Sequence, residues 1–241
     1  MAIAEELATG IAAAGAVAAT LANAALRPGS QVFGRTLIAG NDPREVALTY
    51  DDGPNDACTE ALLELLDRHS VKATFFMIGR FVRQRPDIAR QVHAAGHLVG
   101  NHTMTHLWLA WQSARRIREE LHGCQQALQD ALGAPVGYFR PPHGARRPAV
   151  FRTAAELGLT LVQWNAIGQD WNPISAQEIV ANLDRGLTRS RNRHRGANIL
   201  LHDGSDVGMG ADRSQTLRAT GLLLERFRQD HKRVVTVDAW K

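Results

Sequence analysis

Short apolar runs alternate with stretches whose apolar residues recur at three- and four-residue spacing, about seven times between Glu45 and Val237. Regular alternation of this kind predicts parallel strands covered by helices. The residues able to do chemistry stand at the ends of the apolar runs. Seven or so units of this size therefore predict an α/β fold, a distorted (β/α) barrel of about seven parallel strands of the TIM type, with its site on one face. No glycine-rich phosphate loop follows the first strand, which disfavours a dinucleotide fold.

The units have readable limits. A turn over Asn41–Arg44 precedes a first strand, Glu45–Tyr50. Thr59–Arg68 is apolar at 61, 62, 65 and 66, a helical spacing. Ala73–Ile78 reads as the second strand. Pro86 suits the first turn of a helix that runs to Ala95 and is closed by Gly96. The strand His97–Gly100 follows, then a helix from Ser113 to Leu132, stopped by Gly133. Further strands are expected at Val136–Phe139, Thr160–Trp164, Asn198–Leu201 and Val234–Val237. Helices are expected at Pro148–Leu157, from Ser175 onward, and at Ser214–Arg228. Ser175 with Glu178 three residues later has the pattern of a capping box. The arginine-rich run from Arg185 to Arg195 reads as a solvated loop.

The first 40 residues divide from the rest: an Ala/Gly-rich segment, 1–40, and a domain, 41–241. Leu7 to Leu26 carries no charge and is long enough to cross a bilayer. Its Ala and Gly content gives it little hydrophobic drive. It reads first as a helix packed on the domain and second as a weak membrane-associating segment. Glu5 and Glu6 precede it and the first basic residue is Arg27, which is wrong for a secretory signal. Arg27 and Arg35 beyond an inserted span would hold the domain in the cytoplasm. A cytoplasmic or membrane-associated protein is thus favoured over a secreted one.

The net charge of +4 is mild, and the aromatic interleaving of a nucleic-acid groove is missing, so no nucleic-acid partner is expected. Cys58 and Cys124 are too few and too far apart for a disulfide framework or a paired-cysteine metal site.

Five segments concentrate the chemistry. Asp51 and Asp52 end the first strand, followed by Gly53-Pro54. Adjacent carboxylates at a strand end are costly to bury without a cation. Their side chains diverge along a strand, so one could bind metal while the other polarises a water. His102 and His106 have a spacing that lets two imidazoles face one ion. Two histidines and a carboxylate are a common set for a catalytic divalent metal. His93 and His97 share the spacing, but Gly96 and a strand start lie between them, so they should diverge. Arg140-Pro141-Pro142-His143-Gly144, Asp170-Trp171 and Leu200-Leu201-His202-Asp203 complete the set.

Taken in order, these five segments resemble the polysaccharide deacetylases of carbohydrate esterase family four, the NodB-homology domain. The resemblance covers roughly residues 45–238. It implies a metal-dependent hydrolase that removes N-acetyl groups from amino-sugar units of a glycan of chitin-oligosaccharide or peptidoglycan type. It implies Asp51 as general base, and Asp52, His102 and His106 as ligands of a divalent metal, Zn²⁺ first and Co²⁺ as an alternative. Arg140 would orient the base and His202 would be the general acid. Asp170 would orient His202, and Asp203 is open as either a partner of His202 or a loop residue. Tyr50, Pro141, His143, Trp171 and Leu200 would contact substrate. Two positions depart from the pattern: His143 stands where an aromatic residue is usual, and Ile167 where an earlier aspartate is usual. Two other readings remain open from the residues: a deformylase or deacylase acting on a lipid-linked amino sugar, and a catalytically silent carbohydrate-binding protein.

Overall fold

A computed structural model describes residue 15 and residues 19–241. At its centre is β1 (Glu45–Gly53), buried along nearly all its length. It pairs with β2 (Thr74–Met77) on one side and β7 (Ala197–His202) on the other, both parallel. The sheet continues through β3 (Leu98–Asn101), β4 (Tyr138–Phe139) and β5 (Thr160–Leu161), and past β7 to β6 (Ala166–Ile167). The order is β5-β4-β3-β2-β1-β7-β6, and β8 (Arg233–Val234) adds to the start of β1. The seven parallel strands of this path form a half-barrel, open between β5 and β6. Beside the opening, Leu37 pairs in parallel with Val162.

Residues 19–26 are helical, and from β1 onward the α-helices are α1 (Thr59–Arg68), α2 (Gly79–Gln84), α3 (Pro86–Ala94), α4 (Ala114–Leu132), α5 (Pro148–Glu156), α6 (Ala176–Asn192) and α7 (Ser214–Gln229). Each longer helix buries one stripe. In α1 the stripe is Leu62 and Leu66, both with no exposed surface. Burying each stabilises the fold by roughly 1.5–3 kcal/mol. The cap at Ser175 is the reciprocal one its sequence predicts: Ser175 Oγ accepts from Glu178 N, and Glu178 accepts from Ser175 N.

Several elements differ from expectation. The arginine run continues as α6 to Asn192 rather than looping. Arginine is a good helix former, and one helix face is free to carry the charges. The last expected strand is shorter, with a 3₁₀ turn at Val237–Trp240. Helix α2 and strand β6 have no clear sequence signal.

The stretch before Asn41 is tied to the barrel. Buried Arg146 donates to the carbonyls of Arg27, Pro28 and Ser30, and Arg146 N donates to Ala25 O. Most of the apolar span Leu7–Leu26 lies outside the described residues. Among the described residues, no helix is long and apolar enough to cross a membrane.

Candidate active site

Alternation along β1 decides which side chains can meet. Leu48 and Tyr50 join the core under the helices, while Thr49 and Asp51 take the opposite face. Strict alternation would send Asp52 away from Asp51. Instead the pairing skips a residue between Asp51 and Gly53, and Asp52 adopts φ 73°. Such a bulge re-aims a side chain. Aspartate tolerates the left-handed region better than most residues. Glycine is required next: a Cβ on Gly53 would collide with the Asp203 carboxylate.

The second segment is a loop, not a helical turn. Thr103 and His106 have φ 66° and 63°. Asn101 Oδ1 accepts from Thr103 N at 2.9 Å, and Thr103 Oγ1 accepts from His106 N at 3.0 Å. Glu120 on α4 holds Thr105 by its N–H and its hydroxyl. Both imidazoles thereby turn toward Asp52. Asp52 Oδ1 lies 3.4 Å from His102 Nε2 and 3.1 Å from His106 Nε2. His93 and His97 do diverge: His93 is exposed, and buried His97 accepts from Ala73 N.

These three residues fit a divalent cation. Their ligand atoms lie within 4.8 Å of one another. Among the described residues nothing hydrogen-bonds to buried Asp52 Oδ1, an acceptor that a cation would satisfy. His102 Nδ1 is 2.7 Å from Arg140 O. A carbonyl can only accept, so Nδ1 carries the proton and Nε2 presents its lone pair. Burial opposes ionisation of Asp52, but His102 and His106 outweigh it and hold the carboxyl well below its ordinary range. Burial likewise opposes charge on His106, and Asp52 overcomes it.

Arg140 has no exposed surface. Its Nη1 donates to Asp51 Oδ1 at 2.8 Å and to Thr49 Oγ1 at 2.7 Å. Its guanidinium lies over the Phe76 ring at 4.3 Å. The other Asp51 oxygen, Oδ2, is 3.6 Å from His102 Nε2. Asp51 is thus clamped on one oxygen and turned to the ligand set with the other.

His202 ends β7. Its Nδ1 is 2.8 Å from Asp170 Oδ1. Asp170 Oδ2 accepts from His202 N and from Thr216 Oγ1, each at 2.8 Å. Burial works against the imidazolium, but Asp170 outweighs it, and Asp52 and Asp51 add; the His202 pKa is raised to about 9. Asp203 is not its partner. Its carboxylate accepts from Thr59 Oγ1 at 2.6 Å, and burial, reinforced by Asp52 and Asp51, pushes its pKa up to about 7.

Asp51, Asp52, His102, His106 and His202 line one cleft of about 550 Å³. His143, Trp164, Ile167, Trp171 and Leu200 form much of its remaining wall. His143 stacks on Trp108, with ring centroids 4.0 Å apart and planes 10° apart. Two expected substrate contacts are corrected. Tyr50 is fully buried on the far face of β1, stacked on Phe75 and bonded to Thr220 at 3.0 Å. Alternation along the strand puts it there. Pro141 is also buried and lies outside the cleft lining; it shapes the turn, accepting from Gly144 N. Motif reading missed Asp206 and Arg213, which also line the cleft. They lie in the loop after β7, where no spacing rule marks them.

Residues 39–162 match the family profile described as polysaccharide deacetylase. A peptidoglycan-N-acetylglucosamine deacetylase from Bacillus cereus is 35% identical over 199 residues, 82% of this chain and 88% of its own. A chitooligosaccharide deacetylase from Bradyrhizobium is 35% identical over 188 residues, 75% of this chain and 83% of its own. A crystal structure of a peptidoglycan N-acetylglucosamine deacetylase superposes with a TM-score of 0.76 at 29% identity, covering 84% of this chain and 91% of that one. A family 4 carbohydrate esterase from Streptomyces lividans, in complex with acetate, gives 0.67 at 31% identity, covering 77% and 88%. With its half-barrel and five ordered segments, the chain belongs to the polysaccharide deacetylase family.

Proposed function

We propose that the protein is a metal-dependent hydrolase that removes acetyl groups from N-acetylated amino-sugar units of a glycan. One observation carries this reading. The ligand set Asp52, His102 and His106 is flanked by a carboxylate held by Arg140 and by a histidine held by Asp170, all within one cleft. The names of the relatives support the substrate class.

Asp52, His102 and His106 would hold the ion, with Zn²⁺ the expected one. When bound, such an ion polarises the acyl oxygen and acidifies the attacking water. Asp51 takes the proton as the water oxygen bonds to the amide carbon. Arg140 keeps that carboxylate aimed through a charge-assisted hydrogen bond. His202 donates a proton to the amide nitrogen as the C–N bond breaks. Acetate and a free amine leave. Asp170 keeps His202 charged and oriented for that donation. Leu200, Trp171 and Ile167 give the cleft apolar surface suited to the acetyl methyl.

The test is acetate release from acetylated chito-oligosaccharides and from peptidoglycan by Zn²⁺- or Co²⁺-loaded protein. Turnover should vanish with a chelator. It should fall about 10²–10⁴-fold in Asp51→Asn, with metal content kept. Formate release from a formylated amino sugar, with no acetate from either glycan, would overturn the assignment of the acyl group. Sugar binding without any product would overturn the enzymatic reading.

A further inference from the structure

The two proposed histidine ligands are not supported alike. His102 has a fixed acceptor for its second ring nitrogen, the Arg140 carbonyl at 2.7 Å. His106 Nδ1 is buried and, among the described residues, has no hydrogen bond. If Nε2 faces a cation, Nδ1 must carry the ring proton. A buried N–H left without an acceptor is unfavourable. The acceptor beside it is Asp206, whose Oδ2 lies 3.3 Å from His106 Nδ1.

Asp206 is held there by its main chain. The Arg80 guanidinium donates to Asp206 O. The same start of α2 grips the histidine loop: Gly79 N donates to Thr103 O and Arg80 N to Met104 O, each at 3.0 Å. Arg80 therefore fastens the loop after β7 to the loop that carries His106. Further along, Asn55 Nδ2 donates to Ala211 O and Asn55 Oδ1 accepts from Gly210 N, so the Asp206 loop is also pinned on the far side.

We propose that Asp206 is a positioning residue for the metal site: it accepts a hydrogen bond from His106 Nδ1–H, fixes that ring's tautomer and orientation, and so strengthens metal binding. This rests on the metal reading above. A carboxylate behind a ligating imidazole also raises the basicity of the ligand. Because the Asp206 side chain is half exposed and lines the cleft, this support comes from the cleft wall, whereas that of His102 comes from the buried frame.

The experiment is calorimetric titration of Zn²⁺ into chelator-stripped full-length protein. Wild type, Asp206→Ala, Asp206→Asn and Asp212→Asn are compared, with thermal melts of each metal-free protein. Asp212 is an exposed carboxylate of the same loop and controls for general charge. Asp206→Ala should bind about 10–100-fold more weakly. Asp206→Asn should recover part of that loss, since an amide oxygen still accepts the N–H, and Asp212→Asn should match wild type. In nitrogen-correlated NMR of the zinc form, the slowly exchanging His106 Nδ1–H should disappear in Asp206→Ala. Zn²⁺ affinity of Asp206→Ala within twofold of wild type would overturn the proposal. So would equal weakening in Asp212→Asn. If alanine does not fold, Asp206→Asn decides: wild-type affinity together with an unprotected Nδ1–H in wild type overturns it. Failure of the wild type to bind Zn²⁺ would instead remove the metal reading itself.

Discussion

Asp170 grips His202 at two points, one carboxylate oxygen on the ring Nδ1 and the other on the residue's own backbone N–H, each at 2.8 Å. This double hold fixes both the ring's direction and its charge. The earlier aspartate usual in the family is Ile167 here, and Ile167 lines the cleft instead. Asp170 suffices to seat the histidine.

The pair sets a pH dependence. In its proposed role as general acid His202 must be protonated, and its pKa is raised to about 9 against a normal 6.5. Its contribution to stability is thus complete below about 6.5 and is lost as pH rises through about 9. Activity should fall over the same upper range. In Asp170→Asn the alkaline limb should move toward neutrality, with kcat at pH 8 reduced about 10²-fold or more. A pH–rate profile of both proteins checks this; an unmoved alkaline limb contradicts it.

Arg140 and Asp51 make a buried ion pair at the cleft floor. Removing one partner strands the other. Arg140→Met should cost about 3–5 kcal/mol of stability, and most of the turnover. Arg140→Met with Asp51→Asn should recover part of the stability and none of the activity. Urea unfolding of the single and double variants measures the difference.

Asp203 presents the opposite sign. Its carboxyl is buried and its pKa is raised to about 7 from 3.8. The fold therefore disfavours the ionised form, and this group costs stability increasingly as pH rises from about 4 through 7. Asp203→Asn should melt higher than wild type at pH 8, by about 2–4 °C for each kcal/mol relieved. The gain should vanish near pH 4. Melting curves at both pH values test the sign.

Trp108 is half exposed and carries the His143 ring on its face. Trp108→Ala should leave His143 loose at the cleft wall. The expected effect is a rise in KM for chito-oligosaccharides of about 2–10-fold, the worth of one aromatic pair, with little change in kcat. Initial-rate kinetics separate the two parameters. A fall in kcat alone would show that the pair acts on chemistry rather than binding.

Legibility in the sequence tracks how local the cause is. The limits of α1, and the cap at Ser175, depend on neighbouring residues and could be read directly. Six-residue α2 lacks a capping side chain, and two-residue β6 is too short for a period. The arginine run was misleading because charge reports exposure, not backbone shape. At the site, the ordered segments bring together the residues that β1, β3, β4 and β7 deliver to one end. Tyr50 belongs to the same conspicuous segment as Asp51, yet alternation sends it to the core. Asp206 enters through a loop fastened by Arg80, a long-range contact that no local pattern encodes.

The left-handed twist at Asp52 restricts how this centre can drift. Glutamate could serve as a ligand in other settings, but at this position it must also accept a left-handed backbone, which suits aspartate, asparagine, histidine or glycine better. The least disruptive route to an inactive descendant is therefore Asp52→Asn, which keeps the bend and discards the charge. Such a protein would retain the cleft and its aromatic walls, so a dormant relative could arise from this scaffold by a single base change.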